Sequence, residues 1–371
     1  MIPVFKPSLG DEEIQAVSRV IKSNWIGNGP RTEEFEKKFV KYVGGRFALA
    51  VNSASAALHL ALLAGGIKKG DEVITPSFTF IATNHPILLV GAKPVFCDID
   101  LNTLCADPKD IEQKITNKTK AIIVVHYGGI PVDLSPIQKL CTNKKILLIE
   151  DCAHAVGTYY KRKHVGVFGD FSCFSFAAIK NLTTGDGGML IGKNKQAIKK
   201  ARILAWSGIS KSTWKRISKN SFSWKYNVSS VGWKYQMNDI AAAIGLSQLE
   251  KIDNNNKKRE IIADRYNKAF SNLSWIKFLE YPSYGKSSHH NYVIKVYKGN
   301  RDKLSQYLSK KGIQTTVHYY PSHHYKLYKP FASKLPVTDK VWREILLLPI
   351  FPDLKSSEQE YIIDSVKSFN S

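Results

Sequence analysis

Short apolar runs rich in β-branched residues alternate with segments of helical periodicity through the first two-thirds of this chain of 371 residues. Because parallel strands need long crossover connections, this alternation is typical of an α/β fold built on a parallel sheet. Helices are predicted between the strands, for example over residues 55–63 and 110–115. The predicted strands span residues 72–75, 94–99, 121–125, 146–149 and 171–176.

Two helices are predicted before the first of these strands. Asp11 and Thr32 are each placed to cap a helix, since a side-chain oxygen can accept a hydrogen bond from a free backbone N–H at a helix start. The apolar positions that recur at helical spacing are Ile14, Val17 and Ile21 in the first helix, and Phe35, Phe39 and Tyr42 in the second.

The last third of the chain changes character. Residues 238–270 predict one long helix with an apolar side that ends in a charged run. Beyond it, two predicted strands at 292–296 and 315–319 flank a helix over 301–311, which Gly312 would terminate. We therefore expect a large domain over residues 1–250 and a smaller α+β domain over residues 251–371.

Composition excludes several classes of protein. No apolar run approaches the ~18–20 residues needed to span a bilayer, and the N-terminus lacks the layout of a signal peptide. The cysteines are odd in number and form no CxxC pair, so neither a disulfide framework nor a metal site is predicted and the cytoplasm fits best. The cysteines are Cys97, Cys105, Cys141, Cys152 and Cys173.

The chain is strongly basic, with 54 Lys and Arg against 31 Asp and Glu and a net charge of +23. Residues 187–238 contain no acid, which suits a nucleotide-bearing ligand, nucleic acid or simply a solvated basic surface. No pattern of a known nucleic-acid-binding motif accompanies the segment, so nucleic acid is not the predicted partner. Its cations are Lys193, Lys195, Lys199, Lys200, Arg202, Lys211, Lys215, Arg216, Lys219, Lys225 and Lys234, and its tryptophans are Trp206, Trp214, Trp224 and Trp233.

Two acids, Glu150 and Asp151, end a strand of the buried type. Ligands of open parallel sheets bind beyond the carboxyl ends of the strands, so an acid there faces the crevice. It could hold a heteroaromatic nitrogen, a ribose or a metal. Alternatively, it could cap a short helix over residues 152–156.

Lys180 follows the next apolar strand and opens a turn-rich stretch that ends in Gly185-Asp186-Gly187-Gly188. A lysine that is shielded from water has a lowered pKa and serves as a nucleophile, most often through a Schiff base. The glycines allow the backbone to pass close to a ligand. The chain has no P-loop and no GxGxxG after a strand, which argues against those nucleotide-binding folds.

Small and hydroxyl residues around Ser53 and Ser55 open a predicted helix, whose free N–H groups could bind an anion or be capped by serine. Phe80 follows a strand and could supply an aromatic face. Together with Lys180 and Asp151, these features are the parts that a pyridoxal phosphate enzyme needs.

The chain resembles the DegT/DnrJ/EryC1/StrS family of nucleotide-sugar aminotransferases along almost its whole length, most diagnostically around Asp151 and Lys180. The resemblance implies fold type I, a mostly parallel seven-stranded sheet flanked by helices with a smaller α+β C-terminal domain. It implies that Lys180 carries pyridoxal 5'-phosphate as a Schiff base and shuttles a proton, with pyridoxamine 5'-phosphate as an intermediate. Asp151 would pair with the pyridine nitrogen.

The resemblance implies further cofactor contacts. His154 would lie near the phenolic oxygen of the ring, and Phe80 would stack on its face. Ser175 would bind the phosphate with Ala54 and Ser55, although the family has glycine at the position of Ala54.

Lys234 lies in a loop that, by the same resemblance, reaches the cofactor phosphate of a neighbouring subunit, although many members have asparagine there. A homodimer with shared active sites is therefore expected. A second matching stretch implies substrate contacts for His318, Tyr319 and His323, although these histidines could equally be buried structural residues.

These features predict a transaminase that moves an amino group from an amino acid, L-glutamate, to a keto carbon of a nucleotide-linked sugar or deoxysugar. The product would enter a surface polysaccharide such as lipopolysaccharide O-antigen, or a related glycan. One alternative is a dehydratase of the same family, which has histidine at the lysine position. The other is a non-catalytic basic binding protein on this scaffold.

Overall fold

Seven strands form one mostly parallel sheet in a computed structural model that describes residues 1–210 and 226–369. In chain order, the strands of the described residues are β1 Phe47–Val51, β2 Glu72–Pro76, β3 Lys93–Cys97, β4 Thr119–Val125, β5 Leu147–Asp151, β6 Tyr159–Tyr160, β7 Lys163–His164, β8 Phe171–Ser175, β9 Gly188–Gly192, β10 Ile276–Phe278, β11 Gly285–Lys286, β12 Tyr292–Val296 and β13 Ile345–Leu348. The order in the large sheet is β1-β9-β8-β5-β4-β2-β3. This sheet confirms the predicted fold class.

Neighbours from β8 to β3 pair in parallel, whereas β9 runs antiparallel to both β1 and β8. The carboxyl ends of β2, β4, β5 and β8 therefore meet at one edge of the sheet. The strands β1 and β9, which the sequence analysis missed, extend the sheet on one side. The missed segments are short and rich in alanine or glycine, which are poor strand formers.

The helices of the described residues cover both faces of the sheet and the C-terminal region. They are α1 Asp11–Lys22, α2 Pro30–Val43, α3 Ala54–Ala64, α4 His85–Leu89, α5 Pro108–Gln113, α6 Leu134–Lys144, α7 Lys195–Leu204, α8 Asp239–Phe270, α9 Arg301–Lys310, α10 Pro336–Glu344 and α11 Ser356–Lys367. The long helix α8 confirms the prediction for residues 238–270, and the side chain of Asn238 caps it by accepting from the Ala241 N–H.

The first helix forms where it is predicted, but Gly10 and not Asp11 is its N-cap, and Ile14 and Ile21 on its apolar stripe are exposed. Its buried residues are Glu13, Ala16 and Val20. Glu13 packs against α8, where Lys251 Nζ lies 2.7 Å from its carboxylate. Apolar spacing alone predicted the wrong face because this ion pair compensates the burial of a charged residue.

The second helix buries Phe35 and Phe39 completely, as the sequence pattern indicates. It begins at Pro30 after Gly29, however, and not at Thr32. The Thr32 hydroxyl donates to Asp239 Oδ1 at 2.6 Å and so joins α2 to the start of α8.

A second, three-stranded sheet of order β10-β12-β13 packs against α8, α9 and α11 in the C-terminal region. The strand β12 confirms the prediction for residues 292–296. The strand predicted at 315–319 is wrong, since only an isolated bridge joins Thr316 to Leu347. The third strand of this sheet is instead β13, which pairs with β12.

The helix α8 runs through residue 250 without a break, and the large apolar core that lies under the main sheet also includes Val293, Ile345 and Leu347. A domain boundary at residue 250 therefore stays a prediction. Within residues 1–210 and 226–369, no helix is long and apolar enough to cross a membrane.

Candidate active site

A cavity of about 310 Å³ lies at the edge of the large sheet where β5 and β8 end. Side chains from well-separated parts of the chain line it, because parallel strands bring their carboxyl ends together. Nine of the predicted site residues are among them. They are Ala54, Ser55, Phe80, Asp151, His154, Ser175, Lys180, His318 and Tyr319.

Lys180 lies in a turn after β8, where its backbone N–H donates to the Ala177 carbonyl at 2.9 Å. Burial lowers the pKa of its ammonium group to about 8, and the nearby carboxylate of Asp151 opposes this shift. About a tenth of the amine is therefore neutral at pH 7, and this neutral form is the one that a nucleophilic lysine requires.

Asp151 is the last residue of β5 and is only 3% exposed. Burial raises the pKa of its carboxyl group. Three contacts oppose this shift: the hydroxyl of Thr83, which donates at 2.8 Å, the N–H of Ala153, which donates at 3.0 Å, and the charge of Lys180. The carboxylate keeps acceptor capacity for a cationic ring N–H in the cavity.

Glu150 points to the opposite face of β5, because successive side chains of a strand alternate. Its carboxylate accepts from the backbone N–H groups of Gly166, Phe168 and Gly169 at 2.6–2.9 Å, and it lies 3.1 Å from His126 Nε2. Only one of the two acids therefore faces the cavity. The alternative of a helix over residues 152–156 is wrong, since this segment forms turns.

His126, Glu150 and Cys152 place possible metal ligands within 4.8 Å of one another. All three are fully buried, and the Glu150 oxygens are already held by backbone N–H groups. Burial also raises the pKa of the Cys152 thiol well above its usual value, which keeps it protonated. This group is a structural cluster.

The start of α3 forms an anion cradle at one end of the cavity. Ser53 caps the helix, and its hydroxyl accepts from the Ala56 N–H at 3.1 Å. The amides of Ala54 and Ser55 belong to the first turn, where backbone N–H groups have no carbonyl partner within the helix. Gly188 packs so closely that a Cβ there would lie 2.7 Å from the Ala54 nitrogen. Ser175, at the end of β8, adds a hydroxyl to the cavity.

Histidine and tyrosine side chains form another wall. His154 Nδ1 accepts from the Gly128 N–H at 3.2 Å, and its Nε2 lies 3.1 Å from the hydroxyl of Tyr319. Burial and the charge of Lys180 hold the pKa of His154 well below its usual value, so the imidazole is neutral. Phe80 is 55% exposed at the cavity mouth, with its ring 5.7 Å from that of Tyr319.

His318 also faces the cavity, and burial together with Lys180 lowers its pKa to about 4. Its carbonyl accepts a short hydrogen bond from the Tyr127 hydroxyl, and its ring stacks on Phe5 at 5.5 Å. Its buried Nδ1 has no hydrogen-bond partner among the described residues. The ring of His318 therefore contributes a buried, unpaired nitrogen beside the cavity.

Two predicted residues lie outside this cavity. His323 is 6% exposed and bonds to Ser77 and Asp339, which fits the structural histidine that the sequence left open. The Nζ atom of Lys234 lies 3.4 Å from the ring centre of Trp206, and the backbone carbonyl of Lys234 accepts a hydrogen bond from the side chain of Asn52. A role for Lys234 at the phosphate of a neighbouring subunit stays a prediction.

The acid-free basic segment is only partly described. Arg202 pairs with Glu36 at 2.8 Å, and Lys193 and Lys200 donate to the backbone carbonyls of Phe168 and Leu63. Seven of the segment's cations and tryptophans lie outside the described residues: Lys211, Trp214, Lys215, Arg216, Lys219, Trp224 and Lys225.

The sequence analysis missed the contribution of Thr83. It belongs to a short 3-10 turn over residues 81–83, and it also bonds to Thr79, a lining residue of the cavity. The only sequence signal was its position shortly after Phe80, because threonine is common in turns that have no ligand.

The arrangement fits pyridoxal phosphate. A lysine of lowered pKa shares the cavity with a buried carboxylate, and the first turn of α3, whose backbone N–H groups can bind an anion, lines the same cavity. Lys180 would hold the aldehyde, Asp151 the ring nitrogen, and the Ala54–Ser55 turn the phosphate. The fold and the site thus define a pyridoxal phosphate enzyme of fold type I.

The chain belongs to the DegT/DnrJ/EryC1/StrS aminotransferase family, which it matches over residues 7–367. It is 40% identical to the spore coat polysaccharide biosynthesis protein SpsC of Bacillus subtilis over 99% of this chain and 96% of that protein. The family and its solved structures are pyridoxal-phosphate-dependent sugar aminotransferases, and this chain is an enzyme of that kind.

Two solved structures illustrate the similarity. The pyridoxal phosphate form of a sugar aminotransferase, Spr1654 of Streptococcus pneumoniae, superposes with a TM-score of 0.92 at 33% identity, covering 99% of this chain and 98% of that chain. PseC of Helicobacter pylori, an aminotransferase of pseudoaminic acid biosynthesis, superposes with a TM-score of 0.92 at 30% identity, covering 99% and 100%.

Proposed function

We propose that this enzyme transfers the amino group of L-glutamate to a keto carbon of a nucleotide-linked sugar or deoxysugar. The observation that carries the proposal is the shared cavity of Lys180 and Asp151 at the carboxyl edge of the sheet, with the anion cradle of α3 at its end. This geometry supports amino transfer, and the family membership supports a sugar as acceptor.

Bound pyridoxal phosphate supplies an electron sink that stabilises negative charge on the carbon next to the transferred nitrogen. Lys180 Nζ takes a proton from that carbon of the amino donor and later returns one to the acceptor carbon. A pKa of about 8 suits this exchange, because a general base works best when its pKa lies near the working pH.

The other cavity residues orient and shield the reacting groups. Asp151 holds the proton on the ring nitrogen, and Thr83 and Ala153 fix its two carboxylate oxygens. The neutral His154 and the Tyr319 hydroxyl form one hydrogen-bonded wall, and Phe80 covers the cavity mouth from water. His318 adds a neutral imidazole ring to the cavity wall.

A nucleotide-linked acceptor is supported by charge. Residues 187–238 contain no acid and eleven Lys and Arg residues, and a sugar nucleotide carries an anionic diphosphate. The names of the relatives concern spore coat polysaccharide and pseudoaminic acid, so we propose that the product enters a surface polysaccharide such as O-antigen, or a related glycan.

We further propose a cytoplasmic homodimer in which Lys234 of each chain serves the phosphate of the other. The support is that Lys234 Nζ lies outside the cavity of its own chain, on a loop that borders Asn52 beside the anion cradle. An ammonium group can meet a phosphate as a point charge.

The experiment is to incubate the purified enzyme with glutamate and a panel of keto sugar nucleotides, and to read product masses. We expect a product in which an amino group and a hydrogen replace the keto oxygen of one panel member, and formation of 2-oxoglutarate in equal amount. Matched controls are the same keto sugars without the nucleotide, and alanine or aspartate as donor. Equal rates with free sugars would refute the nucleotide requirement.

Two rival functions have distinct signatures. A dehydratase would give a sugar that has lost a hydroxyl group and gained no amino group, and Lys180 in the cavity argues against it. A basic binding protein would bind DNA with a steep salt dependence and retain no cofactor on purification. Retained cofactor with salt-insensitive turnover would exclude the latter.

A further inference from the structure

The side chains of His323, His324 and Asp339 lie close together, at a place where the sequence analysis predicted no metal site. The Nε2 atoms of His323 and His324 lie 3.1 and 2.8 Å from the same oxygen, Asp339 Oδ1. The two histidines are consecutive in a 3-10 turn over Ser322–His324, and their ring centres are 4.1 Å apart. All three ligand atoms lie within 4.8 Å of one another.

The outer contacts of His323 hold it in the orientation that a metal ligand needs. Its Nδ1 bonds to Ser77 Oγ at 2.6 Å, and its backbone N–H donates to the same hydroxyl at 3.1 Å. With Nδ1 held by Ser77, Nε2 faces Asp339 at hydrogen-bond distance, and a bound metal would take the place of the Nε2 proton. Metal-bound histidines nearly always have such a second partner, which fixes the tautomer and the ring orientation.

We propose that these three side chains form a binding site for one zinc ion, or a similar divalent transition metal, per chain. Two imidazole nitrogens and one carboxylate oxygen suit zinc, whereas magnesium and calcium prefer oxygen ligands alone. Bonds of about 2.0–2.1 Å in a tetrahedron place ligand atoms about 3.4 Å apart, so the two N–O distances need little change.

The site is partly open. The side chains of His324 and Asp339 are 29% and 37% exposed, whereas that of His323 is 6% exposed. A water molecule can therefore occupy the fourth position, and the metal can enter from solvent. In the cluster of His126, Glu150 and Cys152, by contrast, backbone N–H groups already donate hydrogen bonds to the carboxylate.

A bound metal would join three segments of the fold. Asp339 belongs to α10, Ser77 follows β2, and the two histidines come shortly after His318 and Tyr319 in the cavity wall. The ion would thus stabilise the segment that carries this wall, and it would raise the melting temperature by an amount that grows with the logarithm of the free metal concentration above the dissociation constant. It would act at a distance from Lys180 and take no part in amino transfer.

The experiment is a zinc titration of the cofactor-loaded enzyme after treatment with a chelator, read by competition with a chromophoric chelator and by thermal melting. We expect one zinc per chain and a rise in melting temperature of about 3 °C at saturating metal. His324→Gln and Asp339→Asn should each weaken binding by more than about tenfold and abolish the rise, and Ser77→Ala should weaken it by about tenfold.

The matched controls are His85→Gln and Glu344→Gln. His85 is an exposed histidine bonded to Tyr328, and Glu344 is an acid at the end of the same helix as Asp339. Both controls should bind zinc as the parent chain does. Absence of stoichiometric binding by the parent, or unchanged binding by both His324→Gln and Asp339→Asn, would overturn the proposal. A failed amino-transfer assay would not affect it.

Discussion

The two faces of strand β5 carry buried ionisable groups that differ in what satisfies them. On one face, the Glu150 carboxylate is held by three backbone N–H groups and by His126, and the side chains of both residues are completely buried. On the other, Asp151 has two protein donors and borders a cavity of about 310 Å³ that also contains Lys180.

The pKa values express this difference. Hydrogen bonds outweigh burial at Glu150 and lower its pKa, with His126 and the amides of Gly166 and Gly169 as the causes that oppose desolvation. At Asp151 burial dominates and raises the pKa. A fully satisfied charge stabilises the fold, whereas a partly satisfied one leaves interaction energy for a ligand.

The largest effect is expected for Lys180→Ala. It removes the only amine among the residues lining the cavity in the described structure, so turnover should fall by about 10³-fold or more, and covalent attachment of the cofactor should be lost. The measurement is the rate of amino transfer together with the intact mass after borohydride reduction. Lys120→Ala, at an exposed lysine near the start of β4, is the control. An unaffected Lys180→Ala enzyme would refute the assignment of the site.

Isosteric changes of the two acids test the comparison itself. Asp151→Asn should lower the rate by about 10²–10³-fold with little loss of stability, since it removes a charge that faces a ligand. Glu150→Gln should change the rate little but cost about 3 kcal/mol or more of unfolding free energy, because it breaks the buried pair of Glu150 and His126. The measurements are the amino-transfer rate and the urea midpoint of unfolding of each variant. Equal effects on stability would break the contrast between the two faces.

A smaller effect is expected for Thr83→Val, which keeps the shape of the side chain and removes the hydrogen bond to Asp151. The rate should fall by about tenfold, the equivalent of one hydrogen bond to a charged group. The control is Thr32→Val, which removes a hydrogen bond to Asp239 and should reduce stability without changing the rate. A normal rate for Thr83→Val would show that Asp151 needs no support from this hydroxyl.

The smallest effect concerns how the reactivity of the Lys180 amine depends on pH in the cofactor-free protein. Only the neutral amine reacts, so labelling by an amine reagent should rise about tenfold per pH unit below pH 8 and level off above it. In Asp151→Asn the midpoint should move to lower pH, because the carboxylate favours the charged amine. Peptide mass spectrometry gives both profiles, and a midpoint near 10 would contradict the buried environment.

The sequence indicated much of the site because its residues follow strands in a fold whose strand ends share one edge. Asp151 and Lys180 were found by this reasoning, and the long helix α8 by its periodicity. The exposed stripe of α1 was not predictable, since the burial of Glu13 depends on Lys251 far along the chain. The strand β13 was missed for a related reason: its partner β12 lies fifty residues upstream.

The amino-acid sequence by itself determined the alternation that produces a parallel sheet, the positions of an acid and a lysine after two of its strands, and a strongly basic surface. Only the tertiary structure decided which of two adjacent acids faces the cavity, that Thr83 donates to this acid, and that His154 and Tyr319 lie within hydrogen-bond distance of each other. It also decided that His323 and His324 point at one carboxylate oxygen. Periodicity is a local property, whereas convergence of side chains depends on how distant segments pack.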